Sequence, residues 1–142
     1  MTKPPLRATV HTQADLEQLW RRLMEPVGFA GHTLWMLTIR DDGEVFPQVV
    51  QIADMPPAPT PADRKDLAAF VAELDAHTDS ELRWAFLYSR PGRGGADHRD
   101  RAWAQALCDA ARRAGARCEP VHLATDEMLV PIPLDDLDMR SA

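Results

Sequence analysis

The chain has 142 residues, 45% hydrophobic and 27% charged, with a formal net charge of −6, which is the length of one domain and the composition of a folded rather than a disordered chain. The acidic balance argues against generic binding to nucleic acid or anionic lipid, both of which need a basic face to neutralise phosphate. The longest apolar runs, Trp84 to Tyr88 and Met128 to Ile132, fall far short of the roughly 20 residues that span a bilayer.

Residues 1–11 read as a short Pro-containing lead with no apolar core of a secretory signal, which leads to an expected cytoplasmic location. Thr12 is placed to cap a helix with Asp15 in its first turn, and Leu16, Leu19, Trp20 and Leu23 follow at helical spacing until Pro26 and Gly28 stop it. Leu34 to Ile39, the turn Asp41-Asp42-Gly43 and Val45 to Ile52 predict a β-hairpin, with Pro47 making its second arm a sheet edge. Met55-Pro56-Pro57-Ala58-Pro59 is a stiff connector, because each proline removes a donor and disfavours helix before it. Thr60-Pro61-Ala62-Asp63 opens a second helix that buries Leu67, Phe70, Val71 and Leu74 and ends near His77.

Leu82 to Tyr88 is a short, nearly continuous apolar run of the kind covered on both faces, and so the expected central strand. The loop Ser89 to Gly95 leads to a helix capped by Asp97, with Asp100 three residues on, which runs through Ala114 to Gly115. Its inward stripe is Trp103, Ala106, Leu107, Ala110 and Ala114. Cys118 to Leu123 and Met128 to Ile132 read as two strands around Thr125-Asp126-Glu127, and residues 135–142 as an acidic tail beyond a domain spanning 12–134. The expected fold is therefore α/β (α+β), a single three-layer-like domain with a mixed sheet of about five strands packed by three helices.

Charge is uneven along this order. Between Arg83 and Arg117 eight arginines stand against three aspartates, a local net charge of +5 that leaves −11 for the rest of the chain. Arginine outnumbers lysine 14 to 2, a bias read as GC-rich coding rather than chemistry. The glycine-rich loop 91–95 lies between a strand and a helix, where α/β proteins often hold phosphate on helix N–H groups. It has neither the Lys-Ser/Thr of a P-loop nor GxGxxG spacing, and Asp97 and Asp100 would compete with an anion there. Arg90, Arg93 and Arg99 keep that site in view.

The five histidines show no HxH or HxxxH pairing, so no metal site is expected. No GxSxG elbow is present. The two cysteines, Cys108 and Cys118, lack the close spacing of a zinc or redox motif and read as core thiols. The four tryptophans fall on apolar stripes or strands and read as core. The Pro-rich segment 55–61 reads as a spacer.

The strand end Tyr88-Ser89-Arg90-Pro91, the following Asp97-His98-Arg99-Asp100 and the strand Glu119-Pro120-Val121-His122, taken in this element order, resemble the JAB/MPN domain over residues 12–132, and particularly its bacterial RadC branch. That family has HxHP at the strand end, Ser-x-x-Asp at the helix start and a glutamate on the early hairpin. This chain keeps the Pro and Asp100, but Tyr88 and Arg90 replace both histidines, and His32 and Thr33 stand where the glutamate would be. The resemblance thus implies a metal-free member, and metal-free members act as scaffolds and protein-binding modules.

The sequence therefore predicts a non-catalytic interaction or regulatory module that binds protein, itself or another, without cofactor or metal. The alternative is a phosphate or small-molecule binding domain, or an enzyme acting on such a ligand, using loop 90–95 and the next helix start, with an anionic small molecule as ligand. The candidate ligand-binding residues are Tyr88, Arg90, Arg93, Asp97, Asp100 and His122.

Overall fold

All three helices begin with the same reciprocal cap. In the computed structural model, which describes residues 9–24, 31–45, 49–76 and 82–132, helix α1 (Gln13–Met24) starts with the Asp15 N–H donating to Thr12 Oγ1 at 3.1 Å and the Thr12 N–H donating to Asp15 Oδ2 at 3.1 Å. Helix α2 (Pro61–Ala76) repeats the device with Thr60 and Asp63 at 3.0 and 2.9 Å. In helix α3 (His98–Arg113) Asp97 and Asp100 do the same, both bonds at 2.9 Å. Each box satisfies two N–H groups that a helix start otherwise leaves unpaired, and places a carboxylate at the positive end of the helix dipole.

The strands are β1 (Thr33–Arg40), β2 (Val50–Ile52), β3 (Leu82–Ser89), β4 (Arg117–Cys118), β5 (His122–Ala124) and β6 (Leu129–Pro131), in the sheet order β2-β1-β3-β5-β6 with β4 also on β3. β1 pairs antiparallel with β2 and β3, β3 pairs parallel with β4 and β5, and β6 returns antiparallel on β5. The sheet is mixed, and β3 is central, as its continuous apolar run predicts.

Side chains alternate across the sheet and fill two cores. Leu34, Met36, Trp84, Phe86, Tyr88 and Leu123 pack with Leu67 and Val71 of α2 and Trp103, Leu107 and Ala110 of α3. Leu37, Ile39, Ala85, Leu87 and Ala124 pack with Leu16, Leu19, Trp20 and Met24 of α1. One helix therefore covers one face and two cover the other, a three-layer α/β domain. Val10, within the stretch expected as a lead, is buried in the α1 core, and Thr9 bridges to Glu44.

The hairpin turn closes with the Gly43 N–H donating to the Arg40 carbonyl at 2.9 Å. Gly43 has φ +91°, and a Cβ there would collide with the His11 ring, so the position is suited to glycine on both counts. Residues 46–48, with Pro47, lie outside the described residues, as do residues 1–8, Pro26, Gly28, His77 and the tail 135–142.

Two expectations need correction. The single strand predicted over Cys118–Leu123 is split into β4 and β5, so that the mixed sheet has six strands among the described residues. From Trp84 to Leu87 β3 advances three residues, while its parallel partner advances four, from Cys118 to His122. The extra residue is a bulge at Glu119-Pro120, where proline cannot donate to a ladder. The second correction concerns α2. Leu67 and Val71 are buried, but Phe70 and Leu74 remain 37% and 38% exposed. Helix α2 leans on α3, with Arg64 3.6 Å from Asp109, and Phe70 lies toward the open strand β2, in one groove with Val50 and Ile52.

Candidate functional site

The C-terminal end of β3 brings together most of the residues singled out in the sequence. Arg90 is only 7% exposed and Asp100 fully buried. The Arg90 Nε donates to both Asp100 oxygens at 2.9 and 3.0 Å, and Nη2 donates to Oδ2 at 2.8 Å. The rest of the guanidinium donates to the Pro91 and Gly95 carbonyls, both at 3.2 Å. Asp100 is therefore shared between the α3 cap and the strand-end arginine. The hydrogen bond to Asp100 raises the Arg90 pKa still further. Partial burial works against ionised Asp97, but the N–H groups of the helix start and the Arg90 charge hold its pKa below the ordinary carboxylate value.

Tyr88 is buried in the core that contains α2 and α3, and its hydroxyl accepts the Arg99 Nε–H at 3.1 Å. The same hydroxyl lies 2.8 Å from His32 Nδ1. This contact is a hydrogen bond in either imidazole tautomer: Nδ1 accepts the phenol proton, or an Nδ1–H donates to the phenol oxygen beside the Arg99 N–H. Burial, followed by the charges of Arg99 and Arg90, lowers the His32 pKa, and burial raises that of Tyr88. Both shifts favour the neutral forms, an uncharged imidazole against an uncharged phenol.

Arg99 also donates through Nη2 to the Met55 carbonyl at 2.9 Å, and Trp103 Nε1 donates to the Pro56 carbonyl at 3.0 Å. Two side chains of α3 therefore tie down the proline connector. The connector in turn forms one end of a groove of about 390 Å³ between α2 and β2. Met36, Leu67 and Trp103 form its floor, Ile52 and Phe70 its walls, and Asp54, Asp63 and Asp66 stand around it. Ile52 is 39% exposed, and it lies on the α2 side of the sheet because its cross-strand partner Leu34 does. β2 ends the sheet order, so among the described residues its outer edge pairs with no strand.

Two other candidates lie apart. His122 is buried opposite Leu87 in β3, on the α1 face, where the charge of Glu17 reaches it. In an unbroken strand it would share the face of Cys118, which packs on the core under α2 and α3; the bulge turns it to the other side. Its Nδ1 lies 3.1 Å from the Pro120 carbonyl, and burial lowers its pKa. Arg93 is exposed on the loop. The loop's own N–H groups are engaged from the β5–β6 turn: Gly92 donates to Asp126 Oδ2 at 2.8 Å and Gly94 to Glu127 Oε1 at 3.0 Å.

Sequence reasoning missed the linking role of His32 and Arg99 and the groove itself. The signal for the groove was present in Phe70, on the apolar stripe of α2, but periodicity alone cannot distinguish a buried stripe from an exposed one. Among the described residues no cluster of three or more His, Cys, Asp or Glu could hold a metal, and no helix is long and apolar enough to cross a membrane. No family model matches the chain, and neither a curated protein nor a solved structure matches it.

Proposed function

We propose that the chain is a non-catalytic interaction module whose α2–β2 groove takes an extended segment of a partner protein, with apolar side chains flanked by lysine or arginine. The observation that carries this reading is the exposure of Ile52 and Phe70, which face each other across an acid-rimmed apolar groove. Large apolar side chains gathered beside a cavity and ringed by charge mark a contact surface rather than the scattered exposure of an ordinary surface. The open edge of β2 offers main-chain hydrogen bonds to an added strand, while the groove receives alternate side chains. The three aspartates select a basic partner and speed its approach.

The likeness to metal-free JAB/MPN domains belongs to the same proposal. What supports it is Arg90, bound to Asp100 at the strand end, the position that the resemblance would give to that family's metal. The alternative of a phosphate or small-molecule site on loop 90–95 has less behind it. Arg90 is engaged by Asp100, and the Gly92 and Gly94 N–H groups already face carboxylates.

The test is fluorescence anisotropy with labelled peptides that alternate apolar and basic residues, against acidic peptides of the same apolar pattern. Saturable binding of the basic set, weakened by salt and lost in Ile52→Lys and Phe70→Asp, is expected. Equal binding of both sets, or binding indifferent to those substitutions, would refute the groove. Sedimentation of the protein alone checks a further outcome: a dimer dissociated by Ile52→Lys would mean that the occupant is a second copy. A thermal shift with inorganic phosphate that disappears in Arg93→Ala would instead favour the loop.

A further inference from the structure

The two cysteines are ten residues apart in sequence, yet their sulfurs lie 3.6 Å from each other. Cys108 sits near the end of α3 and Cys118 in β4, and between them the chain reverses through the Gly115 turn. That turn is closed by the Gly115 N–H donating to the Arg112 carbonyl at 3.0 Å and the Ala116 N–H donating to the Ala111 carbonyl at 2.9 Å. Gly115 has φ +73°, the left-handed conformation that this helix ending requires. A turn fixed in this way holds the two sulfurs together without a bond between them. Both residues are half-buried rather than sealed in the core.

We propose that Cys108 and Cys118 form a redox-active dithiol, which a hydroperoxide closes to a disulfide that staples the end of α3 to the sheet. The two sulfurs have different roles. The Cys118 thiol donates toward Cys108 Sγ and lies 3.2 Å from the Glu119 carbonyl. Its hydrogen bond to Cys108, together with burial, holds it protonated well above the ordinary thiol range. Cys118 is therefore the poorer nucleophile, and the sulfur that attacks is Cys108, the acceptor of that hydrogen bond. Its thiolate forms a bond to the terminal peroxide oxygen as the O–O bond breaks, and the released alkoxide or hydroxide takes up a proton to leave as alcohol or water. Cys118 sulfur then bonds to Cys108 sulfur, the S–O bond of the sulfenic acid breaks, and its hydroxyl leaves as water with the Cys118 proton. Two electrons pass from the thiols to the peroxide, and an external thiol reverses the change.

Because the chain has two cysteines in all, the products are readily distinguished. Hydrogen peroxide is added to the full reduced chain, and intact mass and thiol titre under denaturing conditions are followed. The expected result is a monomer lighter by the mass of two hydrogens, with both thiols lost together and both restored by dithiothreitol. The oxidised form should melt about 5–10 °C higher, because a short loop is closed in the unfolded chain. Cys118→Ser should stop at a sulfenic acid on Cys108 that dimedone traps, whereas Cys108→Ser should react much more slowly. Two thiols that persist in excess peroxide, a disulfide-linked dimer, or a sulfinic acid on one cysteine with the other still alkylatable would overturn the proposal. The wild-type mass alone decides this if either variant fails to fold.

Discussion

Arg90 and Asp100 form a buried ion pair, with the guanidinium Nη2 2.8 Å from Oδ2 and Nε 2.9 Å from Oδ1. The pair joins the end of the central strand to the first turn of α3, and Asp100 at the same time closes the α3 cap by accepting the Asp97 N–H. Its partners are internal, so its role is to hold the strand end and helix in one arrangement. Removing one charge from a buried pair leaves the other uncompensated and costs about 3–5 kcal/mol. Asp100→Ala should therefore lower the stability measured by urea denaturation by that amount. The double variant Arg90→Met, Asp100→Leu should be less damaged than Asp100→Ala, since no unpaired charge remains. If the double variant were the weaker one, the pair would be a net stabiliser in its own right.

The shared start of the three helices makes a gentler prediction. Thr60 Oγ1 accepts the Asp63 N–H at an exposed helix end, so Thr60→Ala should cost about 1 kcal/mol, and Thr60→Ser much less. Denaturation midpoints of the two variants, compared with the wild type at unchanged slope, check this. A loss as large for serine as for alanine would point to the methyl group rather than the hydroxyl.

Gly43 tests a backbone constraint. With φ at +91° and the His11 ring against the position of a Cβ, Gly43→Ala should destabilise by about 1–2 kcal/mol. Adding His11→Ala should relieve only the collision and leave the backbone penalty. Full rescue in thermal melts would show that packing, not conformation, selects glycine here.

His122 and His32 make the fold sensitive to mild acid. Burial lowers both pKa values from the ordinary 6.5, so below that value the unfolded chain binds more protons than the folded one. Their contribution is therefore complete above pH 6.5 and is lost as the pH falls through the lower folded-state values. The melting temperature should be lower at pH 5.5 than at pH 7.5, and His122→Gln should flatten that difference. An unchanged slope in this variant would assign the effect to other groups.

Much of the fold was legible because it rests on local signals. Thr12, Thr60 and Asp97 each stand three residues before an aspartate, and each opens a helix. The continuous apolar run of β3 told of a strand covered on both sides, and the Asp-Asp-Gly turn of the hairpin behind it. The clustering of Tyr88, Arg90, Asp97 and Asp100 at one strand end was legible for the same reason, since a strand, a short loop and a helix start adjoin in sequence.

Tertiary structure decided what depends on pairing across the chain. One extra residue at Glu119-Pro120 sends His122 to the α1 face, and no local pattern reports a bulge that is defined by its register against β3. The packing of α2 on α3 leaves Phe70 beside β2 and Leu74 exposed, because a helix's apolar stripe is fixed by its sequence but what covers it is not. The Arg90–Asp100 pair, the Arg99–Tyr88–His32 chain and the contact between Cys108 and Cys118 arise in the same way. The residues at the strand end were named by sequence as candidate binders, whereas the fold engages Arg90, Asp100 and Arg99 internally and leaves the apolar groove between α2 and β2 as the exposed feature. Periodicity determines which side chains share a face of one element; only the packing of elements determines which of those faces remains open.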